Sequence, residues 1–114
     1  MGENAKLETL YELVKKGDRS ASLKETPLKG FGGYYEGCLN GSIDAAKALH
    51  DILLPDWIVH DFSQNSQDMG WTMVLASKTG MFSTSHEGSE IFLCSCPARA
   101  WLLAILRGLP KKGK

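Results

Sequence analysis

Apolar residues recur along this chain at two different spacings. Helical spacing over Ile43–Leu53 gives way to short alternating runs, and helical spacing returns over Pro97–Arg107. Runs of alternating apolar and polar residues bounded by turn residues are typical of antiparallel strands. The pattern predicts an α+β domain in which helices flank an antiparallel sheet of three to four strands, with one face of the sheet covered.

Three helices are predicted. The first lies within Ala5–Lys16 and is followed by Gly17 as a stop signal. The second begins after Ser42, whose hydroxyl can accept a hydrogen bond from a first-turn amide, and it ends before Pro55. The third begins at Pro97, where a proline costs no helical hydrogen bond. Its inward face is expected to consist of Ala98, Trp101, Leu102, Ile105 and Leu106.

Four short runs between the last two helices predict strands. They cover Trp57–Phe62, Trp71–Ser77, Met81–Ser85 and Glu90–Cys94. Polar residues 63–70 form the predicted loop between the first two strands, and the sequence KTG at 78–80 predicts a tight turn before the third. The predicted unit at 42–108 is therefore helix, meander, helix.

The segment from Asp18 to Gly41 has no regular periodicity. Pro27 and several glycines interrupt it, so we expect a long, mostly irregular connection. Long irregular connections are uncommon inside compact domains and are often functional. The rings of Phe31, Tyr34 and Tyr35 in this segment argue against simple disorder.

Length, charge and cysteine content narrow the class of protein. A chain of 114 residues with 43% hydrophobic content fits one domain, spanning 1–114. Lys+Arg and Asp+Glu are equal at 13 each, which predicts no general attraction to nucleic acid or an anionic membrane and no sequence-specific nucleic-acid binding. Three cysteines without a signal-like N-terminus predict reduced thiols and a cytoplasmic protein. No apolar run reaches the ~20 residues of a membrane span.

Two runs of sequence resemble a known family. They are SIDAAKAL at Ser42–Leu49, followed by LLPDW ending at Trp57, and CPARAWLLAILR at Cys96–Arg107. They are similar to the helix, strand and final-helix motifs of small phage and prophage proteins of the phage ABA sandwich domain family. Cys96 stands where that family more usually has Thr. The resemblance implies an α+β sandwich encoded by a phage, expressed in the host cytoplasm, and it supplies no catalytic residues.

Several patterns suggest metal or phosphate chemistry, but each lacks part of the required set. The dipeptides at His50-Asp51 and His60-Asp61 resemble metal ligands of phosphohydrolases, although one falls on a helix and the other on a strand. Cys94 and Cys96 could bind zinc with Cys38 or His86, yet their spacing differs from Cys-x-x-Cys. The glycines of 30–33 lack the Gly-Lys-Ser/Thr end of a P-loop. We therefore predict no metal and no cofactor.

The remaining candidates are residues that could bind a phosphorylated ligand. Arg99 falls in the first turn of the last helix, where free amide hydrogens and the helix dipole favour an anion. The alternative is an exposed arginine that serves solubility. Aromatic rings in the glycine-rich segment could stack on a base, or they could fix the segment to the sheet. The predicted ligand-binding set is Arg99, Tyr34, Tyr35, Phe31, Lys29 and Lys47.

No catalytic set emerges, so a binding protein is favoured over an enzyme. One hypothesis is a phage protein that sequesters a nucleotide-derived defence signal, such as a cyclic nucleotide or a cyclic ADP-ribose, between protomers. The other is a protein-binding inhibitor or structural accessory protein that acts through an exposed apolar or aromatic patch. The sheet has one uncovered face, which also predicts a homodimer or a higher symmetric oligomer.

Overall fold

The fold is an α+β arrangement of helices on one side of an antiparallel sheet. A computed structural model of the protein describes residues 2–16, 23, 26–64, 71–87 and 97–111. The helices in these residues are α1 (Gly2–Lys16), α2 (Gly32–Leu39), α3 (Ile43–Leu53) and α4 (Pro97–Gly108), followed by a short 3₁₀ turn at Leu109–Lys111. The strands are β1 (Trp57–Gln64), β2 (Trp71–Ser77) and β3 (Phe82–Glu87). The predicted fold class and the three predicted helices are confirmed.

The described strands form a meander in the order β1-β2-β3. Both strand pairs are antiparallel, with Ile58 opposite Ala76 and Ala76 opposite Phe82. The register of β1 against β2 shifts between Val59 and Asp61, which makes His60 the extra residue of a β-bulge. The hairpin between β2 and β3 turns at Gly80, whose φ of 89° suits glycine. The predicted tight turn is confirmed.

Helix α4 lies in the middle of the molecule. It packs against β2 and β3 on one side and against the other three helices on the rest of its surface. The prediction of a single inward face is therefore wrong, because Ala100, Leu103 and Ala104 are also fully buried. A helix that is apolar on all sides is expected at the centre of a core. The layers are thus the sheet, α4, and then α1, α2 and α3.

The segment predicted as an irregular connection contains helix α2. Two of its residues, Tyr35 and Cys38, are buried in the core, and this burial outweighs the low helix propensity of its glycines. Gly37 is required by packing, since a Cβ atom at this position would lie 2.6 Å from the Cβ of Ala45 on α3. The prediction for 18–41 is therefore wrong from Gly32 onward.

Helix α3 begins as predicted from its cap. The Ser42 hydroxyl accepts a hydrogen bond from the amide of Ala45 at 3.1 Å, and Asp44 lies in the first turn.

The predicted fourth strand, Glu90–Cys94, lies outside the described residues. No helix in the described part of the chain is long and apolar enough to cross a membrane.

Candidate protein-interaction surface

The two faces of the sheet have different surroundings. Directly opposite residues of paired strands share a face, and successive residues alternate between faces. Met73, Leu75 and Ser83 are fully buried and therefore mark the inner face, against α4. The Ser83 hydroxyl donates a hydrogen bond to the carbonyl oxygen of Ala104 at 2.6 Å, which ties β3 to α4. Around these three residues of β2 and β3, the inner face is a closed part of the core.

The outer face carries large apolar side chains that are exposed to solvent. Ile58 is 63% exposed and Phe82 is 50% exposed, at the two ends of one cross-strand row whose middle residue is Ala76. Val74 lies two positions along β2 on the same face and is partly buried. We call this surface the outer-face patch: Ile58, His60, Val74, Ala76 and Phe82. Because its apolar residues are contiguous across three strands, the patch differs from singly scattered surface residues.

The bulge in β1 brings His60 onto this patch. The imidazole ring of His60 contacts the ring of Phe82 edge to face, with centroids 5.5 Å apart and planes at 73°. The contact holds the Phe82 ring in place while leaving half of its surface exposed. Together the two residues form a preformed aromatic pair that a partner can cover with little loss of side-chain entropy.

Charged residues border the patch along β2. On one side, Lys78 of the turn lies 3.7 Å from a carboxylate oxygen of Asp56, and both side chains are more than three-quarters exposed. On the other side, Asp61 occupies the row of Val74 and Thr84. Lys78 follows Ala76 by two residues, in the turn beyond the paired residues of β2, and Asp61 pairs with Val74, two residues before Ala76. The patch has an apolar row at its centre, with the Lys78–Asp56 ion pair at one border and Asp61 at the other.

A second polar arrangement lies inside the molecule, between α3, β1 and α4. The Nε2 atom of His50 lies 2.6 Å from the carbonyl oxygen of Trp57, and the indole Nε1 of Trp101 donates to His50 Nδ1 at 3.1 Å. Since the indole nitrogen can only donate, Nδ1 accepts and Nε2 carries the hydrogen that it donates to Trp57. Both ring nitrogens of this buried histidine are therefore used in packing the fold.

The metal hypotheses find little support in the geometry of the two histidines. His50 is buried with both nitrogens engaged, whereas His60 is exposed on the outer-face patch. Among the residues that the structure describes, no group of three or more His, Cys, Asp or Glu side chains is placed to hold a metal ion. Cys94 and Cys96, the proposed zinc ligands, lie outside those residues. Cys38 is buried in the core.

The predicted aromatic ligand-binding residues lie on or beside α2, in three different environments. Phe31 precedes the helix and packs partly buried against the core. Tyr34 is 42% exposed, whereas Tyr35 is 2% exposed and belongs to the core cluster. Neighbours on a helix point about 100° apart, which separates the two tyrosine rings. The structure therefore does not bring the three rings together on one surface, and Tyr34 is the ring most open to a ligand.

The predicted cations occupy three different elements. Lys29 is exposed in the turn before α2. Lys47 on α3 forms an exposed ion pair with Asp51, with a distance of 2.9 Å between Nζ and Oδ2. Arg99 is half-buried in the first turn of α4. Their role in ligand binding stays a prediction.

Comparison with known proteins assigns neither a family nor a function to this chain. No family model matches the chain, no curated protein matches it, and no solved structure matches it. The resemblance to the phage ABA sandwich domain family, and with it the phage origin, stays a prediction. The function is therefore inferred from the chemistry of the described surfaces.

Ile58 and Phe82 were not predicted from the sequence as surface residues. The tryptophans are not part of this surface, because Trp57 and Trp101 are buried at 6% and 8% exposure, and Trp71 is partly buried. The consecutive apolar residues Trp57-Ile58-Val59 could have indicated an apolar side chain on the open face. In a strand, consecutive apolar residues point to both faces, so one of them must lie away from α4.

Proposed function

We propose that this protein acts as a protein-interaction module and binds its partner through the outer-face patch. The observation that carries the proposal is the exposure of Ile58 and Phe82 at the two ends of one apolar row. Covering an isoleucine or phenylalanine side chain contributes about 1.5–3 kcal/mol each. Contiguous apolar residues across a sheet with charged residues at the border are typical of protein-binding surfaces.

The geometry of the patch also favours a protein over a small molecule. A small ligand is normally held in a concave site that buries most of its surface. The patch instead lies on a sheet face, with its side chains projecting from three adjacent strands. A broad partner surface can cover Ile58 and Phe82 at the same time.

Site-specific photocrosslinking tests the proposal. A photoreactive phenylalanine analogue replaces Ile58 or Phe82, one at a time, in cells that produce the protein. Ile52 on α3 is the matched control, because it is also a large exposed side chain, at 41% exposure. We expect protein crosslinks from positions 58 and 82 and much weaker crosslinks from position 52. Equal crosslinking from all three positions, or none from 58 and 82, would contradict the proposal.

Sequestration of a small phosphorylated nucleotide is the second hypothesis. Support for it comes from Tyr34, which is exposed, and from Arg99 at the first turn of α4. Calorimetry against cyclic di- and trinucleotides and cyclic ADP-ribose isomers, with recovery of the intact ligand after heating, tests it. If a ligand binds, we expect Arg99→Ala to weaken binding by about 1.5–3 kcal/mol. Binding to no member of the panel would remove this hypothesis.

A further inference from the structure

We infer that the open edge of β1 binds an extended peptide segment of a partner protein, which pairs with Val59 and Phe62 as a further strand of the sheet. In the described part of the chain, β1 is an edge strand that pairs with β2 alone. Strand addition to such an edge uses main-chain hydrogen bonds for affinity and alternate side chains for specificity. The edge is a second surface beside the outer-face patch, so its occupation goes beyond the proposed function.

The backbone of Trp57 shows which residues of β1 face the open edge. Its N–H donates to the carbonyl oxygen of Leu54 at 3.1 Å, and its own carbonyl oxygen accepts from His50 at 2.6 Å. Both groups are therefore directed away from β2. Because the backbone groups of successive residues in antiparallel strands alternate between the two sides, those of Ile58 point to β2 and those of Val59 point to the open edge.

Beyond the bulge, the residue that faces the open edge is Phe62. The carbonyl oxygen of Thr84 accepts a hydrogen bond from Arg107, so the backbone groups of Thr84 point away from β2. Val74, its partner on β2, then directs its own backbone groups to Asp61 of β1. Phe62 follows Asp61 and therefore points outward. The edge presents one N–H and one carbonyl group on each side of the bulge.

Apolar side chains flank this edge on both faces of the sheet. Ile58 is 63% exposed on the outer face, and Val59 is 41% exposed on the inner face, opposite the fully buried Leu75. Helix α4 packs mainly on β2 and β3, which leaves the inner side of β1 partly open. A partner on the outer face would cover Ile58 but not Val59. The side chains of an added strand alternate between the faces and would cover both.

The opposite edge of the sheet is less suited to a peptide. At β3, the guanidinium of Arg107 donates to the carbonyl oxygen of Thr84 at 3.1 Å, and a charged side chain over an edge opposes strand pairing. On β1, the bulge at His60 places the two outward-facing residues three positions apart instead of two. This kink disfavours pairing with any flat strand, so the bound segment must match it.

Selection of peptides from a random library of displayed ten-residue sequences tests the inference on the full chain. We expect the enriched peptides to carry apolar residues at alternate positions. With a synthetic copy of one enriched peptide, Val59→Pro should raise the dissociation constant about tenfold or more, because it replaces the N–H at the open edge by a ring carbon. Val59→Thr keeps the N–H and the branched shape, and should change the constant by less than about threefold.

Amide hydrogen exchange provides a second measurement, on the unaltered protein. Adding the same peptide should slow exchange at Val59 and Phe62 about tenfold or more, because their N–H groups become bonded to the added strand. The amide of Thr84, which faces the opposite edge, is the control and should exchange at an unchanged rate. Proline is tolerated in an edge strand where its N–H would face outward, and thermal unfolding checks that Val59→Pro is folded. Exchange alone decides if it is not.

Four results would overturn the inference. They are the failure of any library peptide to bind, binding by a folded Val59→Pro variant that equals that of the unaltered chain, and exchange at Val59 that the peptide does not slow. The fourth is slow exchange at Val59 without peptide, since the edge would then already be paired within the chain or with a second copy. Protein crosslinks from positions 58 and 82 would leave the proposed function standing in each case. Their absence, with peptide binding at the edge, would overturn the proposed function alone.

Discussion

Trp101 donates its indole hydrogen to Nδ1 of His50 across 3.1 Å, and this bond connects α3 and α4 through two residues that are 51 positions apart in sequence. The rings also contact each other nearly edge to face, with centroids 5.9 Å apart. Because Nε2 of the same histidine binds the carbonyl oxygen of Trp57, α3 and α4 are joined to the first residue of the sheet. This is the point at which the helical layer and β1 are fixed relative to each other.

Replacing His50 tests that connection. His50→Phe keeps a ring of similar size but leaves the Trp57 carbonyl and the Trp101 indole without their buried partner. Each of the two buried groups left in this way costs about 1–3 kcal/mol, so we expect the free energy of unfolding to fall by about 2–6 kcal/mol in urea titrations. His60→Phe, the same substitution at an exposed position, should change it by no more than about 0.5 kcal/mol. Equal effects from the two substitutions would show that the hydrogen bonds of His50 contribute no net stability.

The close approach of α2 and α3 gives a second prediction with a control on the same helix. Gly37→Ala places a methyl group 2.6 Å from the Cβ of Ala45, so one helix must shift. We expect a loss of about 1–3 kcal/mol, the usual cost of overpacking. At Gly33, by contrast, an added Cβ contacts nothing within 4 Å. Gly33→Ala should stabilise the protein by about 0.5–1 kcal/mol through helix propensity alone. Thermal unfolding of the two variants measures whether each substitution raises or lowers the stability of the protein. Stabilisation by Gly37→Ala would contradict the packing of α2 on α3.

A third prediction concerns Arg107, which joins α4 to α1 and to β3. Its guanidinium lies 4.8 Å from the centroid of the Tyr11 ring on α1, and its Nη1 donates to the carbonyl oxygen of Thr84 at 3.1 Å. Arg107→Ala should lower the free energy of unfolding by about 1–2 kcal/mol. In a double-mutant cycle with Tyr11→Leu, the coupling energy should be about 0.5–1 kcal/mol. A coupling energy of zero would show that the ring and the guanidinium do not interact in solution.

The sequence predicted those parts of the fold that depend on local signals. Ser42 marks the start of α3 through its hydroxyl, and the turn at Gly80 follows from a glycine between two alternating runs. These signals act over a few residues and do not depend on the rest of the chain. Helix α2 could not be predicted in this way, because its glycines oppose a helix. It forms because Tyr35 and Cys38 are buried in the core, where α2 packs against α3 and α4.

The candidate surface was harder to predict than the fold for a related reason. Which face of β1 is covered depends on where α4 lies, and periodicity alone does not fix that position. Helix α4 packs on β2 and β3, which leaves Ile58 of β1 on the open face. The bulge at His60 also shifts the register of β1 against β2, and no residue pattern in the sequence indicates a bulge at this position. The existence of an uncovered face could be predicted, but not the residues that form it.

The central claim is that the outer-face patch is covered by protein in solution, and isoleucine methyl groups report on this most directly. Methyl NMR spectra of isoleucine-labelled protein are recorded with and without a soluble nitroxide, for the purified protein and in a concentrated extract of the cells that produce it. Ile58 is the reporter, Ile52 the exposed control and Ile105 the buried control. We predict that the Ile58 methyl group is protected from the nitroxide in the extract, while Ile52 is accessible and Ile105 protected in both samples. An Ile58 methyl group as accessible as that of Ile52 in the extract as well as in the purified protein would contradict the account.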